Sequence, residues 1–461
     1  MMGLLVLCIT LFFVLSLRWI PSYWIPSYTL SFCLVPSYFV VFGPANEKSY
    51  YLLSLVCLGI WWVIHIVHHR FFKILRLESF KLILVFCIAL TAIILPLSKK
   101  MMERTSGNYG WVHDGIIHTE YALKLLTEGR NIYQEDVPDG VFPPLYTHIS
   151  YQTGSGKMIY PKNHSFYHYP YPPLYLLQSF PFYFVLQRTV HWFDQRLILL
   201  FYFFGTAYWL AKKTPFSINV KYTAFFLLFL NPYFLGFFLE GRNDLVVFFW
   251  VFLCFLFLYQ RKTKQAIWAL TIATLLKQIT LPLVPFVFLY LYFLWRPITL
   301  SSYFKRVFGE SFPPLLFGFI VMAPFAVWNF NGLWTDMVLN PAGKLATSQP
   351  IGGYSFLAFL IRFGLLEDPL KYYPTAWIQL PLYGTLFILS YFKLRDFPNV
   401  GTLIILTSFA LFLFLFFSRF CNQNYLEFTA KIFLLGWLFK RMQSQNDLFA
   451  PKIKHSFQRF S

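Results

Sequence analysis

The chain has 461 residues, of which 57% are hydrophobic, 22% aromatic and only 12% charged, with a formal net charge of +19. A water-soluble domain could not expose such a composition, so it excludes a soluble globular protein and predicts an all-α, polytopic membrane protein. The basic excess does not call for nucleic acid, because Lys and Arg stand in short clusters between apolar runs, where the positive-inside rule places cytoplasmic loops.

In chain order, Met1 to Leu17, Thr29 to Phe42, Tyr51 to Val67 and Leu82 to Leu97 read as apolar runs of spanning or near-spanning length. The first lacks a basic start and a small-residue cleavage site, which predicts a retained segment rather than a removed signal peptide. His68 to Lys81 is the densest early basic loop and is expected in the cytoplasm. Residues 1–81 thus read as an N-terminal transmembrane extension with a basic cytoplasmic loop, and 82–440 as the main transmembrane domain. A basic cytoplasmic tail follows at 441–461.

From Ser98 to Pro173 the chain leaves the bilayer for longer than a connection needs, on the extracytoplasmic side, and long ordered loops are where binding and catalysis sit. Its first half, Trp111 to Gln134, patterns as an amphipathic helix, with Ile117, Tyr121 and Leu125 on one face and Lys124 and Glu128 on the other. Asp114 opens it. As a helix cap it would accept backbone amides and do no chemistry; as a general base it would take a proton, and the pattern leaves both readings open. The second half is rich in Tyr and Pro from Tyr167 to Tyr175, which suits an interfacial belt or a sugar platform.

Further spans are predicted at Leu174 to Leu186, Leu197 to Ala211 and Tyr222 to Glu240, the last interrupted by Asn231-Pro232 as a broken or re-entrant pass. About 11 to 14 spans are expected in all. Basic stretches near Lys262, Lys305 and Lys393 read as cytoplasmic, so Glu240 to Asp244, Lys277 to Pro285, Asn329 to Tyr354 and Ser418 to Tyr425 converge on the face that carries Asp114. Lys277 lies inside an apolar run, where a charge needs a cavity or the interface. With Arg242 and Arg419 it suits a phosphate or diphosphate, Arg by fork geometry and Lys as a point charge. Cys8, Cys33, Cys57, Cys87 and Cys254 lie in apolar runs without paired spacing and Cys421 stands alone, which suggests neither a disulfide framework nor a zinc site.

The ordered set HDGIIHTEYALKLLTEGRNIY, YHYPYPPLYLL, LNPYFLGFFLEGRNDLVV and SRFCNQNYLEF resembles the GT-C class of integral-membrane glycosyltransferases, mannosyltransferases among them, over about Leu82 to Phe439. The resemblance implies transfer of a mannose or similar sugar from a polyprenyl-phosphate donor to a lipid or glycan acceptor on the outer face, with inversion. It makes Asp114 the catalytic base, places Lys277, Arg242 and Arg419 on the donor phosphate, and puts His113, Glu120, Tyr169, Tyr171, Asn243, Asp244, Gln423 and Tyr425 on substrate. No cofactor is expected: many relatives carry paired acids in the first loop, whereas Asp114 stands between His113 and Gly115, so a bridging divalent metal lacks its motif.

A transporter or lipid flippase would also bury charge at membrane depth. The long first loop and the absence of matching inverted repeats speak against it. Asn163-His164-Ser165 matches the N-glycosylation sequon, while no retention signal ends the chain, so a plasma or bacterial inner membrane is expected.

Overall fold

The computed structural model describes residues 9–10, 12–40, 48–70, 77–109, 112–296 and 298–449. Expectations for 1–8, for the basic stretch 71–76, for Trp111 and for 450–461 lie outside them. The chain is predominantly helical with almost no sheet, as its apolar composition dictates: in a low-dielectric medium a helix satisfies every backbone amide within one segment.

Among the described residues three helices are long and apolar enough to cross a membrane, within Tyr50–Val67, Ser79–Thr105 and Leu300–Ala342. Only 33% and 28% of the most apolar windows of the first and third are buried against the protein. Apolar helix faces left uncovered by protein require another apolar medium, so these helices mark a membrane protein. A fourth crossing exists if Ile218–Leu230 and Phe234–Glu240, bent by 55°, form one span. The break falls at Asn231-Pro232, where the proline cannot donate to the preceding turn.

The expected 11 to 14 full spans are therefore not what length and composition give among the described residues. The apolar helices Asp244–Tyr259, Gln278–Leu294 and Val400–Phe416 are shorter, and at about 1.5 Å per residue helices of this length fall short of a ~30 Å hydrocarbon core. They pack against neighbouring helices of the bundle. Val400–Phe416 lies along the last helix, Gln423–Phe449, and Asp244–Tyr259 lies along Thr263–Leu276.

The first loop carries its own small core. Val112, Ile116, Ile117, Val137, Phe142 and Phe166 bury one another beneath the helix Asp114–Thr127, while Ala122, Leu123 and Leu125 join the main core. Polar groups fix this helix to the bundle. Arg104, at the end of Leu95–Thr105, bonds both carboxylate oxygens of Glu120 and reaches Asp194 at 3.1 Å, while the Gln195 amide donates to Glu120 at 2.8 Å and Arg196 pairs with Asp194 at 2.7 Å. This corrects the reading of Glu120 as a substrate residue. It faces the bundle, and the neighbouring Lys124 pairs with Glu128 on the exposed side.

Removing one partner of a buried, hydrogen-bonded pair leaves the other charge desolvated. Glu120→Ala should therefore lower stability by about 3 kcal/mol, read as thermal unfolding of the purified protein, whereas Lys124→Ala, which loses a surface pair, should shift it by a few tenths. Equal effects would show that the network does not hold the loop.

Candidate active site

The helix Asp114–Thr127 begins at Asp114, but its cap is His113: the Gly115 amide donates to His113 Nδ1 at 3.0 Å and to Asp114 Oδ1 at 2.8 Å. Asp114 thus shares the capping of this amide with His113 and keeps Oδ2 for other partners. The Asn163 amide donates to it at 3.2 Å and the Ser165 hydroxyl lies 3.5 Å away. Its side chain is 19% exposed, so the carboxylate is held from one side and reachable from the other. A Cβ at Gly115 would sit 2.6 Å from the Tyr171 hydroxyl, so any larger residue there would displace that ring.

Burial alone would raise the Asp114 carboxyl, but the facing His113 and His164 rings, which turn cationic in acid, and the Asn163 amide outweigh it and hold it at about 2. Burial pushes His164 down to about 4 and His118 to about 3, so a neutral-imidazole wall surrounds an ionised carboxylate at neutral pH. His164 Nδ1 is buried without a hydrogen-bond partner.

A second cluster adjoins the first through the backbone. The His113 amide donates to the Glu240 carbonyl at 2.9 Å, at the end of the helix Pro232–Glu240. Beyond that turn Arg242 pairs with Glu240 at 2.9 Å and donates to Asn424 at 3.0 Å. Lys277 bonds Asp244 at 2.6 Å and Asn243 at 2.9 Å, and Asn424 closes the ring by donating to the other Asp244 oxygen at 2.8 Å. The Tyr425 ring faces the Lys277 ammonium at 5.0 Å. Residues that the sequence spreads from 113 to 425 thus form one contiguous polar site.

Within this site Asn243 Nδ2 stands close to the Tyr175 hydroxyl yet outside hydrogen-bond geometry to any acceptor. A buried unsatisfied donor costs about 1–3 kcal/mol, and a ligand oxygen would repay it. Tyr171 is half-buried against Tyr175, whereas Tyr169 is a core residue packed edge-on to His118 and Tyr133 rather than a platform or a membrane belt. Gln423 donates to the Tyr354 hydroxyl at 3.2 Å.

Arg419 differs from expectation. Its guanidinium donates to the carbonyls of Lys371 at 2.8 Å, Leu370 at 2.8 Å and Pro369 at 3.1 Å, and also to that of Gln349. Its fork is spent on stitching a loop, so it is not a phosphate ligand here. Conversely, Asn163, His164, Ser165, Glu240 and Asn424 belong to the site and were not assigned to it from sequence. The sequon reading drew attention from Asn163, which is only 1% exposed. Among the described residues no three His, Cys, Asp or Glu side chains are grouped as a metal centre would need.

Comparison with models of known families, with curated proteins and with solved structures gave no match in any of the three.

A histidine kept neutral by the fold binds its proton more tightly when unfolded, so stability must fall as pH drops from 6.5 towards about 4 for His164. The depressed Asp114 has the same sign in a lower window, its contribution being lost only as pH approaches about 2. Melting of wild type between pH 7 and 4 should show this loss, to which the depressed His118 adds with the same sign, and His164→Gln should make it shallower. A stability that is level, or rises, over that range would contradict the assignment.

Proposed function

We propose that the protein is a membrane glycosyltransferase that moves a sugar from a polyprenyl-phosphate donor to a hydroxyl of a lipid or glycan acceptor. The observation that carries this reading is one reachable, ionised carboxylate, Asp114, joined by the His113–Glu240 backbone bond to a cluster holding Arg242, Lys277 and an unsatisfied amide at Asn243. Such a pairing fits a reaction that needs a base at one end and fixed positive charge at the other.

The acceptor hydroxyl hydrogen-bonds to Asp114 and attacks the anomeric carbon. As the new C–O bond forms, the bond from that carbon to the phosphate oxygen breaks, the phosphate leaves with the electron pair, and the hydroxyl proton passes to Asp114. Displacement from the opposite face inverts the anomeric centre. Arg242 and Lys277 are each paired with an acid, so the leaving phosphate meets them as partners in a held network. The Asn243 Nδ2 hydrogens add neutral donation.

A base held at about 2 is ionised at every working pH but takes a proton with little driving force, which places its contribution at the low end of the usual range. Asp114→Asn keeps size and should lower transfer by about 10²-fold, with melting near wild type, when the purified protein is assayed with radiolabelled polyprenyl-phosphate sugars. Full activity in that variant would remove Asp114 from the chemistry. Wild-type transfer should show no acid limb from this carboxylate between pH 8 and 5, roughly three units above its titration.

A further inference from the structure

A groove of about 270 Å³ lies between the hairpin formed by strands Tyr151–Gln152 and Met158–Ile159 and the segment that runs from Ile351 into the helix Phe356–Arg362. Its walls are tied together at both ends. At the hairpin tip the Gly154 amide donates to the Glu367 carbonyl at 2.9 Å and the Ser155 hydroxyl to the Glu367 carboxylate at 2.7 Å. At the base Gly352 lies against the Tyr151 ring, so close that a Cβ there would meet it at 3.1 Å, and Gly352–Gly353 pair in parallel with Phe420–Cys421. A groove fixed in this way is preorganised for a ligand.

Its lining states the chemistry of that ligand. Tyr151 offers a ring, Gln152 an amide, Ser150 a hydroxyl, and Met158 and Ile361 apolar surface. No lining residue among those described is acidic, so neither an amine nor a metal cation is called for. The one basic residue, Arg362, donates to the Gly353 carbonyl at 2.7 Å and lies over the Tyr354 and Phe359 rings, which hold its guanidinium at the edge of the groove with its charge intact. A ring, apolar surface, an amide and a hydroxyl, with a single cation at the edge, suit a molecule with an apolar face and a rim of hydroxyls. The hairpin also leads back to the carboxylate, because beyond the His148–Lys162 bridge at its base comes Asn163, whose amide donates to Asp114 at 3.2 Å.

The geometry points to a saccharide subsite in this groove, where a sugar unit of a glycan acceptor rests on Tyr151 and bonds Gln152 and Ser150 while its reacting hydroxyl extends to Asp114. This rests on the transferase reading and narrows the acceptor to a glycan-bearing molecule rather than a bare lipid alcohol.

The test is saturation-transfer NMR and titration of the full-length protein in lipid nanodiscs with three probes: maltotriose, α-linked mannotriose and chitotriose. At least one trisaccharide should bind. Its affinity should fall on the order of tenfold, the equivalent of one lost partner, in Tyr151→Ala and in Gly352→Val, which fills the groove, but hold in Tyr151→Phe. Gln152→Leu, at the exposed rim, supplies a variant whose folding is not in question and should weaken binding likewise. Binding that is undetectable for all three probes in wild type, or undiminished in Gln152→Leu and Gly352→Val, overturns the subsite. Asp114→Asn separates the two readings, because retained trisaccharide binding there supports the groove whether or not transfer is lost, and transfer by a wild type that binds no trisaccharide overturns the groove alone.

Discussion

A lysine ammonium held 2.6 Å from an aspartate carboxylate inside a helical bundle sets the terms for the structure around it. Desolvating two such charges costs several kcal/mol each, and their attraction offsets this only if the remaining donors and acceptors are also satisfied. Lys277 and Asp244 therefore draw in Asn243 and Asn424, and Asn424 in turn positions Arg242. These residues stand at the ends of the helices Pro232–Glu240, Asp244–Tyr259, Thr263–Leu276 and Gln423–Phe449. Each of those ends is pinned by a polar contact it cannot give up cheaply. The rigidity passes on to Asp114 through the His113 amide and the Glu240 carbonyl, so the exposed carboxylate stands on a buried foundation.

The same logic separates the arginines. Arg196 spends its guanidinium on Asp194, and Arg419 on the carbonyls that shape the loop from 349 to 371. A buried guanidinium that meets carbonyls on several sides organises backbone, whereas one beside an amide and a single acid, as Arg242 is, remains open to a ligand. Charge type and membrane depth, which are all that a sequence offers, do not distinguish these cases.

That difference marks how much could be read in advance. Helical class, the break at Asn231-Pro232 and the grouping of Asp114 with Arg242, Asn243, Asp244, Lys277 and Tyr425 follow from hydropathy, a proline and polar residues stranded between apolar runs. The number of crossings is less legible, because an apolar run of 16 or 17 residues reads alike whether it crosses lipid or packs within protein. Glu120 was misread for a local reason: Lys124 lies one turn along the same helix, while its true partner Arg104 comes from another helix. Asn163 and Asn424 were not legible because their place in the site rests on partners distant in sequence, Asp114 for the one and Arg242 and Asp244 for the other.

The burial of Asn163 has a consequence in time rather than in space. Its amide nitrogen donates to the Asp114 carboxylate and to the Tyr146 carbonyl, so the atom that a sequon would offer for glycosylation is the one the folded site uses. Attachment and folding would compete for the same nitrogen. In a compartment that glycosylates nascent chains, every copy modified at Asn163 before the loop closes carries a glycan where its small core should pack. A membrane without that machinery imposes no such race.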